Sequence, residues 1–518
     1  MLLRSVGVSA QVIIASRIGA EAVGVSTLIS GVGGFAITLA LSGIQLGCTR
    51  LVSEGLGKQD APFIHRTLQC AIAHALVFGL FSCLMLFFGA PLIGRFWLRD
   101  LRTLPSLRIM AVTLPFISLA SCLSGYFVAV RRVYKSAGIQ VLEEILRIGC
   151  TLFLLNRMAS HGLESALLAL ALSSAIADIF SGCALFWLYR DDRRRHFSIP
   201  AANATLPTYR SVGRKLLAIT LPVAIAAYAR SGLITLQHIL IPKGLARSGA
   251  SWESALAAYG VLHSMVLPVV LFPSAFISSF AGLLIPEVAE AKVQNDLERV
   301  RRVARRIFGI SMMFSVGVAG VMLCFSHGLG LIIYDSLQAS SMIAALAPLI
   351  PIMYIDSAVD AVLKGMGQQV YSMNVNIADA LTSVILVIIL VPKFGVNGYI
   401  FTIYFTEILN TTLSLARMIA ITKPKLRIFG HVFGPILCIA AATGAVRLLC
   451  SSLSLQDSAW TLVLQIALSA LLYVGLLAIT RCIGTDEYEM MRAILKPGCY
   501  KASKSSAHGI VAHKPRVD

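Results

Sequence analysis

Glu143, Glu144 and Arg147 are charged residues set inside an apolar stretch, GYFVAVRRVYKSAGIQVLEEILRIGCTLFLL, residues 125–155. Glu143 and Arg147 are four apart, so on a helix they share a face and can pair. Ionised groups at membrane depth are costly and usually face a bundle interior or a watery cavity. Two readings follow: a charge cluster that serves transport, or an ion pair near a helix entrance that only fixes packing. The arginines raise a second chemistry. Arg17 closes the first apolar segment and Arg230 lies within the seventh, in AIAAYARSGL; with Arg50 they form a candidate substrate-binding set. Guanidinium groups bind phosphate and pyrophosphate bidentately. The competing readings are snorkelling of Arg17 to the surface and a buried carboxylate partner for Arg230.

Carboxylates supply the third candidate group. Asp356, Asp360 and Lys364 follow at four-residue spacing, with Asp379 in the next segment and Glu407 in the one after. Asp356, Asp360, Asp379 and Glu407 are candidates for coupling to H+ or Na+. Asp360 and Lys364 also read as a self-neutralised pair. Asp178 is a further intramembrane carboxylate. His238 and His263 read as hydrogen-bond donors to neighbouring helices and stay outside the site. No Walker A loop, HExxH, GxSxG or paired-Asp motif occurs, so no enzymatic reaction, cofactor or metal site is expected.

Composition sets the solvent these residues work in. Of 518 residues, 57% are hydrophobic and 13% charged, and mean hydropathy is +0.80. A soluble domain carries about 25% charged residues. Apolar runs of spanning length recur from end to end, so the expected fold is an all-α polytopic membrane protein. The runs are continuous rather than alternating, which excludes a β-barrel. The net charge of +19 sits in loops, as a positive-inside bias requires. That argues for anionic membrane lipid or an anionic substrate and against nucleic acid. The 11 cysteines lie mostly in apolar segments without metal spacing and read as small packing residues. The N-terminus runs straight into the first span, without the pattern of a cleavable signal peptide.

At roughly 20 apolar residues per crossing, about fourteen spans are expected. They divide into a six-helix lobe (residues 1–190), a cytoplasmic linker (191–214), a second six-helix lobe (215–421), two additional helices (422–483) and a basic cytoplasmic tail (484–518). With the N-terminus inside, most of the 44 basic residues fall on the inner side. Arg95, Arg99, Arg102 and Arg108 fall outside, against the trend. The halves repeat at one offset of 236: Glu54, Asp60 and Arg66 recur as Glu290, Asp296 and Arg302, Pro115 as Pro351, and Glu143 as Asp379. An even number of spans per half gives both halves one orientation, with substrate expected between them. The turns SEGLGKQD and AEAKVQND read as hinges or gates or, more simply, as capped helix ends. Pro115 and Pro351 read as mid-span bends suited to alternating access or as the prolines common in membrane helices.

Four separated blocks carry a resemblance. SRIGAEAVGVSTLI followed by SGIQLGCTRLVSEG, the GYFVAVRRVYKSAGIQVLEEILRIG block, LPVVLFPSAFISSFAGLLIPEVAEA and VPKFGVNGYIFT together resemble the stage V sporulation protein B family over roughly residues 16–425. That family belongs to the superfamily of multidrug, oligosaccharidyl-lipid and polysaccharide exporters, beside MurJ-type lipid II flippases and MATE drug exporters. The resemblance implies two six-helix lobes plus two helices. It implies flipping of a polyprenyl-pyrophosphate-linked saccharide such as a peptidoglycan or polysaccharide precursor, in spore cortex or cell-wall synthesis. It further implies a monomer in a bacterial cell membrane with both termini cytoplasmic. By analogy with MurJ, Arg17 is the best-supported cavity arginine. The chain departs from the pattern in having few residues ahead of Ser16 and in carrying Gln45–Leu46 where the family has a proline. An ion-coupled MATE-type multidrug exporter and a non-transporting cell-wall scaffold are the alternatives.

Overall fold

A computed structural model describes residues 2–58, 60–98, 100–158, 162–196, 208–423, 432–452 and 459–480. Among them the chain is helical throughout and forms no strand, because a backbone crossing hydrocarbon must satisfy every N–H and C=O within its own segment. The first part contains α1 (Leu2–Leu41), α2 (Ile44–Gly57), α3 (Ala61–Leu92), α4 (Leu104–Ala129), α5 (Val133–Met158) and α6 (Leu163–His196). There follow α7 (Tyr209–Arg247), α8 (Trp252–Gly260), α9 (Leu267–Leu271), α10 (Ser274–Val293) and α11 (Leu297–Cys324). The remainder is α12 (Ser326–Tyr334), α13 (Leu337–Leu346), α14 (Ile350–Gly365), α15 (Gln369–Thr422), α16 (Gly434–Ser452) and α17 (Ala459–Ile479).

Ten helices among the described residues are long and apolar enough to cross a membrane, so the protein is multi-pass. The number understates the crossings. At 1.5 Å per residue, the 54 residues of α15 far exceed a hydrocarbon core about 30 Å thick. The helix reverses at Gly395, whose φ of 58° and ψ of −135° belong to a region that essentially only glycine enters. The sequence predicts two spans parted at that place. α1 breaks likewise at Gly19, with φ 80°. α5 is absent from the ten because three charges interrupt it, although it packs along α6 like its neighbours.

Two compact units emerge. The first comprises residues 1–275, 330–346 and 369–413. Within it α4 packs against α2, α3 and α6, and α1 packs along both α7 and α8. Its core is Ile44, Leu51, Leu123, Tyr126, Phe127 and their neighbours. The second comprises residues 276–329, 347–368 and 414–518. There α11 is central, against α14, α16 and α17, around Met313, Val316, Ile439, Ala442 and Tyr473.

The repeat is legible in local structure. Asp60 caps α3 by accepting from the Phe63 N–H at 2.9 Å, and Asp296 caps α11 by accepting from the Arg299 N–H at 2.9 Å. A carboxylate there satisfies an orphan donor and meets the positive end of the helix. Pro115 lies inside α4, whereas Pro351 stands at the first turn of α14, after a short 3-10 turn at Ala347–Leu349, where its missing N–H costs nothing. Of the arginines against the charge trend, Arg102 is held by Asp100 at 2.7 Å and Glu21 at 3.4 Å. Arg99 lies outside the described residues.

Candidate functional site

Arg147 organises the polar interior of the first unit. It forms an ion pair with Glu143 one turn earlier on α5, reaches Asp178 of α6 at 3.2 Å and stands 3.8 Å from Glu144. α5 is held in register on α6 by the Thr151 hydroxyl, which donates to Ser173 at 2.8 Å. One guanidinium faces three carboxylates, so negative charge is in excess. Beside Asp178 opens a cavity of about 100 Å³ lined by Ser26 and Ser30 of α1, Ser106 and Thr113 of α4, and Ser174 of α6. The Ser106 hydroxyl is buried there without a hydrogen-bond partner. Pockets that enclose drug-sized molecules run to about 300–1,000 Å³, so this cavity suits water, a proton carrier or a small cation and not a sugar.

The arginines expected to bind substrate are differently placed. The Arg17 side chain lies outside the described residues. Arg50 is exposed on α2. Arg230 is exposed on α7, where its charge acts on Asp379 of α15, and Asp379 keeps one buried oxygen without a hydrogen bond. The structure thus joins two residues that the sequence assigns to separate roles. Of the other coupling candidates, Glu407 lies further along α15 in the first unit. Asp356 and Asp360 lie on α14 in the second unit, where Lys364 bonds Asp360 at 2.6 Å. Among the described residues no cluster of His, Cys, Asp and Glu could hold a metal ion.

Sequence reasoning missed Asp192. It reads as part of a polar linker, yet α6 continues through it and its side chain is fully buried. Arg132 and Lys135 each reach one of its oxygens at 2.5 Å, and the Tyr126 hydroxyl donates to the other at 2.8 Å. The basic turn after α4 is the only hint in the sequence, because it offers cations without naming their partner. A second missed feature is apolar: a cavity of about 440 Å³ in the second unit, lined by Met312, Val316 and Leu323 of α11, Pro351 of α14, and Ile436 and Ile439 of α16.

The arrangement has known counterparts. Stage V sporulation protein B of Bacillus subtilis (strain 168) is 26% identical over 500 residues, 94% of each chain. The structure of a lipid II flippase, MurJ, in an inward closed conformation aligns with a TM-score of 0.67 over 92% of this chain and 97% of that one, at 14% identity. An inward-facing multidrug MATE transporter aligns with a TM-score of 0.62 over 82% of this chain and 96% of that one, at 16% identity. Residues 7–292, more than half of the sequence, match the family described as polysaccharide biosynthesis protein. The chain belongs to that polysaccharide biosynthesis protein family.

Proposed function

We propose that the protein is a carrier, not an enzyme, that flips a lipid-linked saccharide across a bacterial cell membrane by alternating access. The observation that carries this reading is the roomy apolar cavity of about 440 Å³ lined by α11, α14 and α16 in the second unit, in a chain of the polysaccharide biosynthesis protein family. Such a surface suits the lipid tail of an amphiphile, whereas a water-soluble drug has no need of it. The fold likeness also covers more of the chain with the lipid II flippase than with the multidrug transporter. The substrate is a polyprenyl-pyrophosphate-linked precursor of peptidoglycan or polysaccharide, used in spore cortex or cell-wall synthesis. Arg17, Arg230 and Arg50 attract its pyrophosphate, and both termini lie on the cytoplasmic side of a monomer.

Lipid II translocation in proteoliposomes tests this, with wild type beside Arg17→Ala and Arg230→Ala. Loss of transport in a well-folded arginine variant supports the anion role. Full activity in both variants refutes it. A second reading, an ion-coupled exporter of cationic drugs, draws on the three carboxylates around Arg147. Efflux of cationic dyes by a protein that moves no lipid II would favour it.

A further inference from the structure

Four ring side chains outside the site just described come together in the first unit. His238 Nδ1 of α7 and the Tyr259 hydroxyl of α8 are hydrogen-bonded at 2.6 Å. His263 Nε2 and the Tyr399 hydroxyl of α15 are hydrogen-bonded at 2.8 Å. The two imidazoles stand edge to face with centroids 5.0 Å apart, and Tyr259 lies tilted against His263 at 4.6 Å. Gln237 is the second partner of Tyr399. His263 occupies a π-helical turn, Val261–Val266, the kind of local over-winding that is rare and frequent at functional sites.

The cluster sits on a close-packed seam between α1 and α8. Gly24 of α1 and Gly260 of α8 are related by the offset of 236 that relates the two halves, and they meet face to face: a β-carbon on Gly260 would stand 2.6 Å from the Gly24 nitrogen. One turn on, the Thr27 hydroxyl bonds that of Ser264. One more turn along α1, Gly31 lies against the His238 ring, with Thr235 donating to its carbonyl at 3.0 Å. Small residues let backbones approach this closely.

Charge around the rings is sparse. α1 presents Gly24, Thr27 and Gly31 to the seam; its Glu21 pairs with Arg102. On α7, Arg230 lies two turns away and acts on Asp379, while Lys243 donates to the Phe96 carbonyl. Glu253 opens α8, ten residues from His263, and Lys393 and Glu407 lie six and eight residues from Tyr399. α9 and α13, which also pack on the π-turn, carry no charged residue. Among the described residues, no carboxylate bonds either histidine. Among the described residues, each imidazole has one protein hydrogen bond, through a single nitrogen, to a tyrosine hydroxyl.

We propose that this cluster is a proton-binding site that controls the α1–α8 seam. Imidazole is the side chain whose charge changes near neutral pH. A proton taken from water onto the other nitrogen of His238 or His263 places a cation where nothing opposes it, a cost relieved when the seam parts and water enters. The rings are close enough that the first charge opposes a second, so the pair takes one proton. Acidification thus opens the seam and alkaline pH closes it. The inference rests on the alternating-access reading, but its test needs no substrate.

The test is amide hydrogen exchange of residues 24–31 and 256–266 in the full-length protein in nanodiscs, from pH 8 to 5.5, corrected for intrinsic rates. An imidazole of ordinary affinity in the open seam that takes no proton in the closed one yields, at pH 5.5, an approximately tenfold loss of protection. That loss is expected in wild type. It should vanish in His238→Gln/His263→Gln, whose amides still bond the tyrosines but take no proton. Persistence of the response in that variant, or none in wild type, overturns the proposal. Should the double variant not fold, Tyr399→Phe decides: it removes a hydrogen bond and leaves the imidazoles, so the response must survive. Failure to flip lipid II would leave these results standing.

Discussion

Removing the Asp192 carboxylate should unlock the core that joins α4, α5 and α6. Asp192 is fully buried, while Arg132 and Lys135 are about a quarter exposed. At an effective dielectric of about 20, two unit charges some 4 Å apart attract by about 4 kcal/mol; the two cations meet at one carboxylate oxygen, so about 3 kcal/mol of mutual repulsion reduces their joint contribution to about 5 kcal/mol before desolvation. Burying the ions costs several kcal/mol each, which cancels most of that gain. The asymmetry decides the outcome: Asp192→Ala leaves two cations and the Tyr126 hydroxyl facing a void, and breaking such a pair costs about 3–5 kcal/mol. Tyr126→Phe removes one hydrogen bond to a charged group, about 1.5–3 kcal/mol. Cys48, Cys70 and Cys122 are buried in this same core, so the temperature at which a thiol-reactive dye labels them reports its opening. The expected order of midpoints is wild type, then Tyr126→Phe, then Asp192→Ala. Lys135→Ala added to Asp192→Ala should recover part of the loss, because it removes one stranded cation. An Asp192→Ala protein that melts with wild type would refute the account of this network.

Further outcomes follow from other sites. Arg147→Ala strands three carboxylates and should lower the melting midpoint more than Arg147→Lys, by about 2 kcal/mol or more, while Glu143→Gln should be milder, since Glu144 and Asp178 remain; thermal denaturation of the three variants checks the order. Gly24→Val drives a branched side chain into the Leu256 carbonyl and should either abolish folding or part the seam, visible as faster hydrogen exchange in residues 256–266. Gly395→Ala forces a β-carbon into a glycine-only conformation and should cost about 1–3 kcal/mol in a denaturation series. Ala440→Trp places an indole in the apolar cavity that Ala440 lines; lipid flipping should fall at least tenfold with an unchanged melting midpoint, and unimpaired flipping would show that the cavity takes no tail.

How much of this was legible beforehand depends on the range of each interaction. The turns SEGLGKQD and AEAKVQND read as capped helix ends from local spacing, and Asp60 and Asp296 cap the helices that follow, because a cap bonds three residues ahead. The Glu143–Arg147 pair was legible for the same reason, one helical turn. Asp178, 31 residues from Arg147, could be named as an intramembrane carboxylate but not as the third partner of that arginine. Asp192 reads as solvated because a run of charges resembles a linker, and only packing reveals that one of them faces inward. Arg230 and Asp379 stood in different candidate groups, 149 residues apart, until α7 and α15 brought them together. His238 and His263 were each read as a hydrogen-bonding side chain, and each is; their meeting is what the sequence could not express.

The sequence alone determined that the chain is helical and membrane-spanning, that it repeats at 236 residues and that it lacks catalytic motifs, because these depend on composition, run length and local spacing. Its four ordered blocks also pointed to the family. Tertiary structure decided which polar groups share an interior, since a bilayer forces every charge to find a partner but leaves open which one. It also decided that the repeat's counterparts Gly24 and Gly260 touch. Internal symmetry relates two residues without requiring contact; contact came from helices packing close enough that neither position has room for a side chain.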